Sequence, residues 1–190
     1  MGIEPVTKAG GFAATVATLR RMVDAQHYAA FAEALAADTR EIVDRPPSPS
    51  SWLAIGHWAV MLDAALRVAF DGRAELVSQL SERSMREDLS RAYKMAMRFT
   101  TPQFAITRAT KLWDKHTQNA GRVEVELVAS DRADVHFLEV PVAELPAFLP
   151  FQRGAVHAVL HLAGMREFEV QCVPGQDGRR QSLQARWRIC

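Results

Sequence analysis

The chain has 190 residues, 48% of them hydrophobic, which is enough to bury one core of ordinary size without disulfide bonds or structural metal ions. Its 23 Lys and Arg residues nearly balance 22 Asp and Glu residues, so the formal net charge is only +1. This balance excludes a whole-chain electrostatic attraction to nucleic acid or to an anionic membrane, and we expect neither as a partner.

Cysteine usage and the lack of an apolar span predict the compartment. The two cysteines, Cys172 and Cys190, are too few and too distant for a disulfide framework, so both are expected to be reduced. No window of about 18 apolar residues is present, and the N-terminal segment does not follow a secretory leader pattern. The sequence therefore predicts a cytoplasmic protein.

The first part of the chain is predicted to be helical. Apolar residues recur at helical spacing in the Ala-rich segment 12–43, which predicts two short helices. Three prolines and three serines in DRPPSPSSW, residues 44–52, then predict a linker or a surface loop. A longer amphipathic helix is expected over residues 52–70, ended by Asp71 and Gly72.

Further helices are predicted before the periodicity changes. Residues 74–98 fit one long helix, or two helices that separate near Ser84, which forms a capping-box pattern with Glu87. Thr101 and Pro102 mark the next helix start, because Thr caps a helix and Pro fits its first turn. The residues expected on one face of this helix are Phe104, Ala105, Arg108, Ala109, Leu112 and Trp113.

The second half of the chain alternates apolar and polar residues, which predicts strands. The apolar residues of the first two strands, which flank the polar turn SDRAD, are Val123, Val125, Leu127, Val135, Phe137 and Leu138. Prolines 141, 146 and 150 predict a loop, residues 152–163 a helix, and segments 166–173 and 182–189 a last strand pair. The buried faces of that pair are expected to place Phe168, Val170 and Cys172 opposite Leu183, Ala185 and Trp187.

The order of these elements predicts the fold class. Helices come first, followed by strand, strand, helix, strand and strand, and hairpin connections make both strand pairs antiparallel. We therefore predict an α+β fold in which N-terminal helices pack on a small antiparallel sheet. A single domain is expected over residues 1–190, with a helical segment over 1–50 and helices plus sheet over 51–190.

Two histidines give the sharpest local pattern. His157 and His161 are four residues apart on a predicted helix, so both imidazoles share one face with a spacing that metal sites use, and Cys172 could join them. No glutamate lies between them in the metalloprotease pattern, and Arg153 one turn earlier would repel a cation. A structural role is favoured for both, and the inward parity of Cys172 favours a small buried side chain. We expect neither a metal ion nor a cofactor.

Other chemistries lack their motifs. The chain has no Gly-x-Ser-x-Gly nucleophile elbow and no phosphate-binding loop, so a hydrolase or a nucleotide-dependent enzyme is not expected. His57 and His136 stand singly and are interpreted as hydrogen-bonded packing residues. Arg186 and Arg188 share one side of the last strand, but no aromatic residue accompanies them to stack on bases.

Part of the sequence resembles known families. The stretch TPQFAITRATKLW, residues 101–113, followed by GRVEVELV, resembles an uncharacterised protein family found chiefly in myxobacteria. The matching positions are Phe104, Arg108, Ala109, Leu112 and Trp113. Residues 84–189 also resemble the 4-vinyl reductase and haem nitric-oxide-binding domain group. This resemblance implies a small-molecule sensor fold in which N-terminal helices cover an antiparallel sheet.

The sequence departs from these families at their ligand-binding positions. His116 and Thr117 stand where the first family tends to have two tyrosines. Cys172 matches the cysteine of the 4-vinyl reductase pattern, but its second cysteine is absent around Ser182, and the Tyr-x-Ser-x-Arg haem-propionate motif is missing. The resemblance therefore implies neither a zinc site nor haem here. His116 is interpreted as a structural residue at a helix C-terminus, where its imidazole complements the last carbonyls.

These observations lead to one hypothesis and two alternatives. The leading hypothesis is a non-enzymatic cytoplasmic regulatory or sensor-like domain that binds a small apolar ligand or a protein partner between helices and sheet. The alternatives are a homodimerisation or scaffold module in a signalling or motility complex, and a metal-dependent enzyme; a homo-oligomer is expected. The residues expected to line a ligand site, or else to fill a dry core, are Met97, Phe104, Trp113, Phe137 and Phe168.

Overall fold

A computed structural model gives the structure of the chain and describes residues 3–88, 100–173, 175 and 180–188. The helices of the described part are α1 (Ala9–Met22), α2 (Ala25–Ala34), α3 (Ala37–Asp44), α4 (Ile55–Ala64), α5 (Ala74–Asp88), α6 (Pro102–His116) and α7 (Phe148–Leu162). A π-helical segment, Ala65–Ala69, continues α4. The strands are β1 (Val6–Lys8), β2 (Trp52–Ala54), β3 (Thr117–Gln118), β4 (Arg122–Ala129), β5 (Arg132–Leu138), β6 (Phe168–Val173) and β7 (Arg180–Trp187).

The larger sheet confirms the predicted α+β class. Its four antiparallel strands lie in the order β4-β5-β7-β6, and α7 connects β5 to β6, which gives the predicted strand, strand, helix, strand, strand sequence. The period-two pattern also predicted the register of the last pair. The observed pairs are Phe168 with Trp187, Val170 with Ala185 and Cys172 with Leu183.

A second, three-stranded sheet was not predicted. Its order is β2-β1-β3, and β1 pairs antiparallel with both neighbours. The predicted helix start at residue 52 is therefore wrong, since residues 52–54 form β2 and the helix begins at Ile55. Ile55 N donates to Pro5 O and Ala9 N donates to Ser51 O, each at 3.0 Å. Hydrogen-bond partners about fifty residues away therefore determine the structure of this segment.

The N-terminal helices number three instead of the predicted two. Asp24 ends the periodicity of α1 by capping α2, because its side chain accepts a hydrogen bond from His27 N at 2.8 Å. A second break at Leu35 and Ala36 separates α2 from α3. The helical spacing of apolar residues continues through both breaks. Periodicity alone therefore predicted fewer and longer helices than the structure has.

Helix α5 shows no break at the predicted position. Ser84 lies inside the helix, and its hydroxyl donates to Ser81 O at 3.1 Å instead of capping a new helix. The rest of the predicted helix, residues 89–98, lies outside the described residues.

The starts of α6 and α7 illustrate two uses of proline. The predicted start of α6 is confirmed, since Thr101 Oγ1 accepts a hydrogen bond from Phe104 N at 3.2 Å and Pro102 occupies the first turn. Helix α7 begins at Phe148, four residues before its predicted start, so the predicted loop at Pro150 is wrong. Pro150 is accommodated because the first turn of a helix needs no intrahelical amide donor.

Two hydrophobic clusters meet at α7. One lies between the larger sheet and α6 and α7, and the other lies among α1, α2, α4 and α5, where Phe151 of α7 joins it. Gly154 brings α7 against α5, because a Cβ at this position would lie only 2.0 Å from Ser78 O. Within the residues that the structure describes, no helix has both the length and the apolar character needed to cross a bilayer.

Candidate functional site

A cavity lies between the helical layer and the larger sheet, and we call it the central cavity. Its volume is about 220 Å³, and its walls come from α1, α4, α5, α6, α7, β4 and β5. The lining is mostly apolar and contains five aromatic residues. These are Trp58, Trp113, Phe137, Phe148 and Phe151.

Edge-to-face contacts fix the aromatic walls. Phe137 makes such contacts with Phe148, at 5.2 Å between ring centroids, and with Trp113, at 6.0 Å. On the other wall, the rings of Trp58 and Phe151 lie 5.2 Å apart and almost perpendicular. Part of the cavity wall is therefore formed by rings that hold one another in place.

Trp113 is also held by its indole nitrogen. Its Nε1 donates to Gly121 O at 3.4 Å, in the turn that leads from β3 to β4. Gly121 adopts φ +76°, and a Cβ there would lie 2.4 Å from Leu138 O, so the turn requires glycine. This turn sets the position of one cavity wall.

Three buried hydroxyl groups interrupt the apolar lining on the α1–α5 side. Thr15 Oγ1 donates to Gly11 O at 2.9 Å and lies 3.5 Å from Ser84 Oγ, which itself donates to Ser81 O. Ser81 is only 1% exposed, and its hydroxyl has no hydrogen-bond partner among the described residues. Such an unpaired hydroxyl is an exception, because buried polar groups are usually hydrogen-bonded.

Two basic residues lie together at the rim of the cavity. Lys8 and His116 both line it, and the register of β1 with β3 brings them side by side. Lys8 Nζ donates to Ser50 O at 2.9 Å and lies 3.7 Å from the centre of the Trp52 ring. His116 is the last residue of α6, as interpreted from the sequence, and its carbonyl accepts a hydrogen bond from Thr7 Oγ1 at 3.2 Å.

The predicted ligand-site residues are divided by the structure. Trp113 and Phe137 line the central cavity, whereas Phe104 and Phe168 lie outside its lining. Phe104 is 45% exposed and lies under the guanidinium group of Arg108, because Ala105 and Ile106 form the buried side of α6 instead. Met97 lies outside the described residues.

The three metal-site candidates do not form a metal centre. His161 Nε2 and His157 Nδ1 lie 3.4 and 3.8 Å from the two carboxylate oxygens of Glu82, and the Phe168 ring packs edge-on against both imidazoles. Among the residues that the structure describes, no group of three or more His, Cys, Asp or Glu side chains could hold a metal ion. Burial lowers the pKa of His157, and burial raises the pKa of the Cys172 thiol.

His57 and His136 make the hydrogen bonds expected of packing residues. His57 Nδ1 lies 2.9 Å from Thr39 Oγ1, and His136 Nδ1 lies 2.8 Å from Ser182 Oγ. Sequence reasoning missed most of the cavity lining. Phe148 and Phe151 fall in the stretch predicted as loop, and no local pattern marks Ser81 or Thr15 as neighbours.

No protein-family model matches the sequence, and no curated protein matches it. Solved structures do match. An Fe(II) unliganded H-NOX protein mutant from K. algicida is similar with a TM-score of 0.71 at 9% identity, covering 96% of this chain and 97% of that one. An oxygen-binding H-NOX domain related to soluble guanylate cyclases, in its oxygen complex, gives a TM-score of 0.64 at 11% identity, covering 96% and 95%.

These similarities extend over nearly the whole chain at very low sequence identity, so they establish a shared fold. The resemblance to the haem nitric-oxide-binding group is thereby supported at the level of the fold. The resemblance to the myxobacterial family and to 4-vinyl reductases stays a prediction. The chain has the α+β fold of H-NOX domains.

Proposed function

We propose that this chain is a non-enzymatic, sensor-like regulatory domain whose central cavity binds a small apolar ligand. The observation that carries the proposal is the cavity itself, which has about 220 Å³ of space and five aromatic side chains in its lining. An apolar cavity of roughly 150 Å³ is large enough to bind benzene. A ligand with one aromatic ring, or a slightly larger apolar molecule, therefore fits.

Haem is the group that the fold suggests, and the cavity does not fit it. The volume of about 220 Å³ is below the roughly 300–1,000 Å³ usual for drug-sized ligands, and a porphyrin is larger than most of these. Of the residue types that ligate haem iron, the described lining offers only His116 and Met85. His116 lies at the rim, beside the small sheet, so the proposed function does not involve haem.

The part of the cavity lining that the structure describes also offers few partners for the propionate groups of haem. Lys8 is the one Lys or Arg residue in the described lining, and its ammonium group already contacts Ser50 and Trp52. This agrees with the absence of the Tyr-x-Ser-x-Arg motif from the sequence. A small neutral guest is the better match to these walls.

Thermal unfolding in the presence of small aromatic compounds such as toluene and indole tests the proposal. A ligand at about 100 times its Kd stabilises the folded state by about 2.7 kcal/mol, which corresponds to roughly 5–11 °C in Tm for a chain of this size. Ala155 lines the cavity on α7, so Ala155→Leu is expected to remove most of this shift by filling the space.

The matched control is Ala30→Leu, an equal change at an exposed position of α2 outside the cavity. This variant should keep the full ligand-induced shift. The proposal fails if no compound raises the Tm of the wild-type protein, or if Ala155→Leu responds as strongly as the control.

Self-association is a second candidate function, and one surface favours it. Strand β4 is an edge of the larger sheet, and Leu127 and Val128 at its end are 48% and 45% exposed. Leu127 follows the same alternation as Val123, but only the start of β4 is buried. An exposed apolar edge strand pairs readily with another chain. We propose that β4 pairs with β4 of a second copy.

Light scattering across a concentration series tests this pairing. The wild-type chain should form a dimer at tens of micromolar, and Leu127→Lys should shift it to a monomer. Val173→Lys places the same charge on β6, the opposite edge, where the wild-type side chain is 38% exposed, and should leave the dimer intact. A wild-type monomer at every concentration would eliminate this second function.

A further inference from the structure

One exposed face of α6 carries a line of basic residues, which we call the α6 stripe. Residues three and four positions apart share a helix face, and on α6 this spacing connects one aromatic ring and three cations. These four exposed residues are Phe104, Arg108, Lys111 and Lys115. Among the residues that the structure describes, none of the three cations makes an ion pair. The Arg108 guanidinium lies 4.6 Å from the centre of the Phe104 ring.

The lack of local acidic partners on the α6 stripe contrasts with the pairing of Arg67. Arg67 pairs with Asp63, one helical turn earlier, at 2.7 Å. One turn before Lys115 stands Lys111, so two like charges are neighbours there, and such a pair destabilises a helix. A row of carboxylates from another molecule would remove this repulsion and supply the missing partners.

Acidic residues around α6 keep the stripe narrow. Asp114 is exposed on α6 itself, and Glu126 is exposed on β4, which packs against α6. Gln103 Nε2 donates to Ser130 O, which brings the β4–β5 turn with its exposed Asp131 to the start of the helix. A nucleic-acid duplex or an anionic membrane is broad and uniformly negative, so it would meet these carboxylates together with the cations. A single acidic segment contacts the stripe alone.

We propose that the α6 stripe is the docking surface for an acidic helix of a partner protein. Both helices rise by about 1.5 Å per residue, so carboxylates at three- and four-residue spacing on the partner lie opposite the three cations. An apolar residue at one end of the partner helix covers the Phe104 ring. The proposal goes beyond the proposed function, and it does not depend on a ligand in the central cavity, which Ile106 and Trp113 line from another face of α6.

Fluorescence anisotropy with a synthetic alanine-based helical peptide tests the proposal. The probe carries one leucine and three glutamates at successive spacings of four, three and four residues, which match the α6 stripe. A control peptide has the same composition with its glutamates spread around the helix. At low ionic strength the wild-type chain should bind the probe about tenfold more tightly than the control peptide, and added salt should weaken this binding because the ion pairs are exposed.

Two triple variants with equal charge locate the binding surface. The variant with Arg108→Gln, Lys111→Gln and Lys115→Gln should bind the probe about tenfold more weakly than the wild type. The matched control removes three exposed cations from outside α6, by Arg45→Gln, Arg83→Gln and Arg166→Gln, and should change the affinity by less than about twofold. All six positions are exposed, so both variants should keep the wild-type circular dichroism spectrum.

Several outcomes would overturn the proposal. Equal binding of the two peptides, or equal losses in the two triple variants, would show a general attraction between charges and no docking surface on α6. Failure of the wild-type chain to bind the probe at low salt would also reject it. Vesicles containing phosphatidylserine and a single-stranded oligonucleotide serve as competitors in the same buffer. If either binds more tightly than the probe and depends on the stripe residues, the partner is a membrane or a nucleic acid and not an acidic helix.

Discussion

Two serines of α5, Ser78 and Ser81, lie one turn apart and differ in how their hydroxyl groups are paired. Ser78 Oγ donates to Pro150 O at 2.6 Å and accepts a hydrogen bond from Arg153 Nε at 3.0 Å, whereas Ser81 Oγ has no described partner. The first hydroxyl joins α5 to α7. The second contributes nothing to the folded state by hydrogen bonding.

We expect opposite effects from the two alanine substitutions. Ser78→Ala should lower the free energy of unfolding by about 1–2 kcal/mol, because it removes the hydrogen bonds that the Ser78 hydroxyl makes with the Pro150 carbonyl and with Arg153 Nε. Ser81→Ala should leave it unchanged or raise it by up to about 1 kcal/mol. Urea unfolding at pH 7 measures both. Equal losses in the two variants would show that the Ser81 hydroxyl is paired after all.

His157 gives the chain an acid-sensitive stability. Burial against Phe168 lowers the pKa of His157 in the folded state, although Glu82 opposes the effect. The unfolded chain therefore binds more protons once the pH falls below about 6.5, so the free energy of unfolding decreases from neutral to acid pH. His157→Gln should flatten this dependence between about pH 7 and pH 5. Identical slopes in denaturant unfolding of the wild type and the variant would contradict the prediction.

At the scale of elements, the crossing of α5 and α7 depends on one glycine. Gly154→Ala should lower the free energy of unfolding by about 3 kcal/mol or more, because its Cβ would lie 2.0 Å from Ser78 O and the two helices would have to separate. Gly56→Ala is the control, since nothing lies within 4 Å of the new Cβ, and it should stabilise α4 by about 0.5–1 kcal/mol. Chemical denaturation of both variants measures the difference, and a mild effect of Gly154→Ala would mean that the crossing can relax.

The elements that the sequence predicted well have local signals. Helix α6 begins where Thr101 and Pro102 indicate, and the last hairpin pairs the predicted residues, because alternation on a half-buried strand fixes which residues face the core. Strands β1, β2 and β3 have no such signal. They are two or three residues long and exist because they pair with one another across the chain.

The candidate site was predictable only in part, for the same reason. Trp113 and Phe137 follow from the periodicity of their elements, whereas Phe104 was assigned to the wrong side of α6. A helix with apolar residues at neighbouring positions has two possible buried faces. Which face is buried depends on the tertiary contacts of the helix, and the sequence pattern alone does not determine it. Ser81 lies in the cavity lining because α7 crosses α5 there, and this crossing is a property of the assembled fold.

At the scale of the whole molecule, α7 makes the two hydrophobic clusters interdependent. Phe151 belongs to the helical cluster, while Val156 and Val159 belong to the cluster under the sheet. The single domain expected from the sequence stays a prediction, and the shared helix gives it a test, because neither cluster keeps its wall without α7.

We therefore expect one cooperative unfolding transition. Trp58 reports on the helical cluster and Trp187 on the sheet cluster, so variants that retain only one of these tryptophans as a fluorescence probe should give the same urea midpoint. Far-UV circular dichroism should coincide with both. Two different urea midpoints would show that the helical cluster and the sheet cluster unfold independently.

The three-stranded sheet should be the least protected part of this architecture. Its strands have two or three residues each, so few hydrogen bonds hold them, and β1 pairs with β3 through residues that are distant in sequence, Thr7 with Thr117 and Val6 with Gln118. The amide hydrogens of β1 should exchange with solvent faster than those of β5, which is paired on both sides over seven residues. Equal protection in the two strands would show that the small sheet opens only when the whole chain unfolds.

The rim of the central cavity is built from this small sheet, through Thr7, Lys8, His116 and Thr117. If the central cavity binds a guest as proposed, the guest would enter and leave where these strands part, while both clusters stay packed. Its residence time would then follow the opening rate of the small sheet, so slow release would not require strong contacts inside.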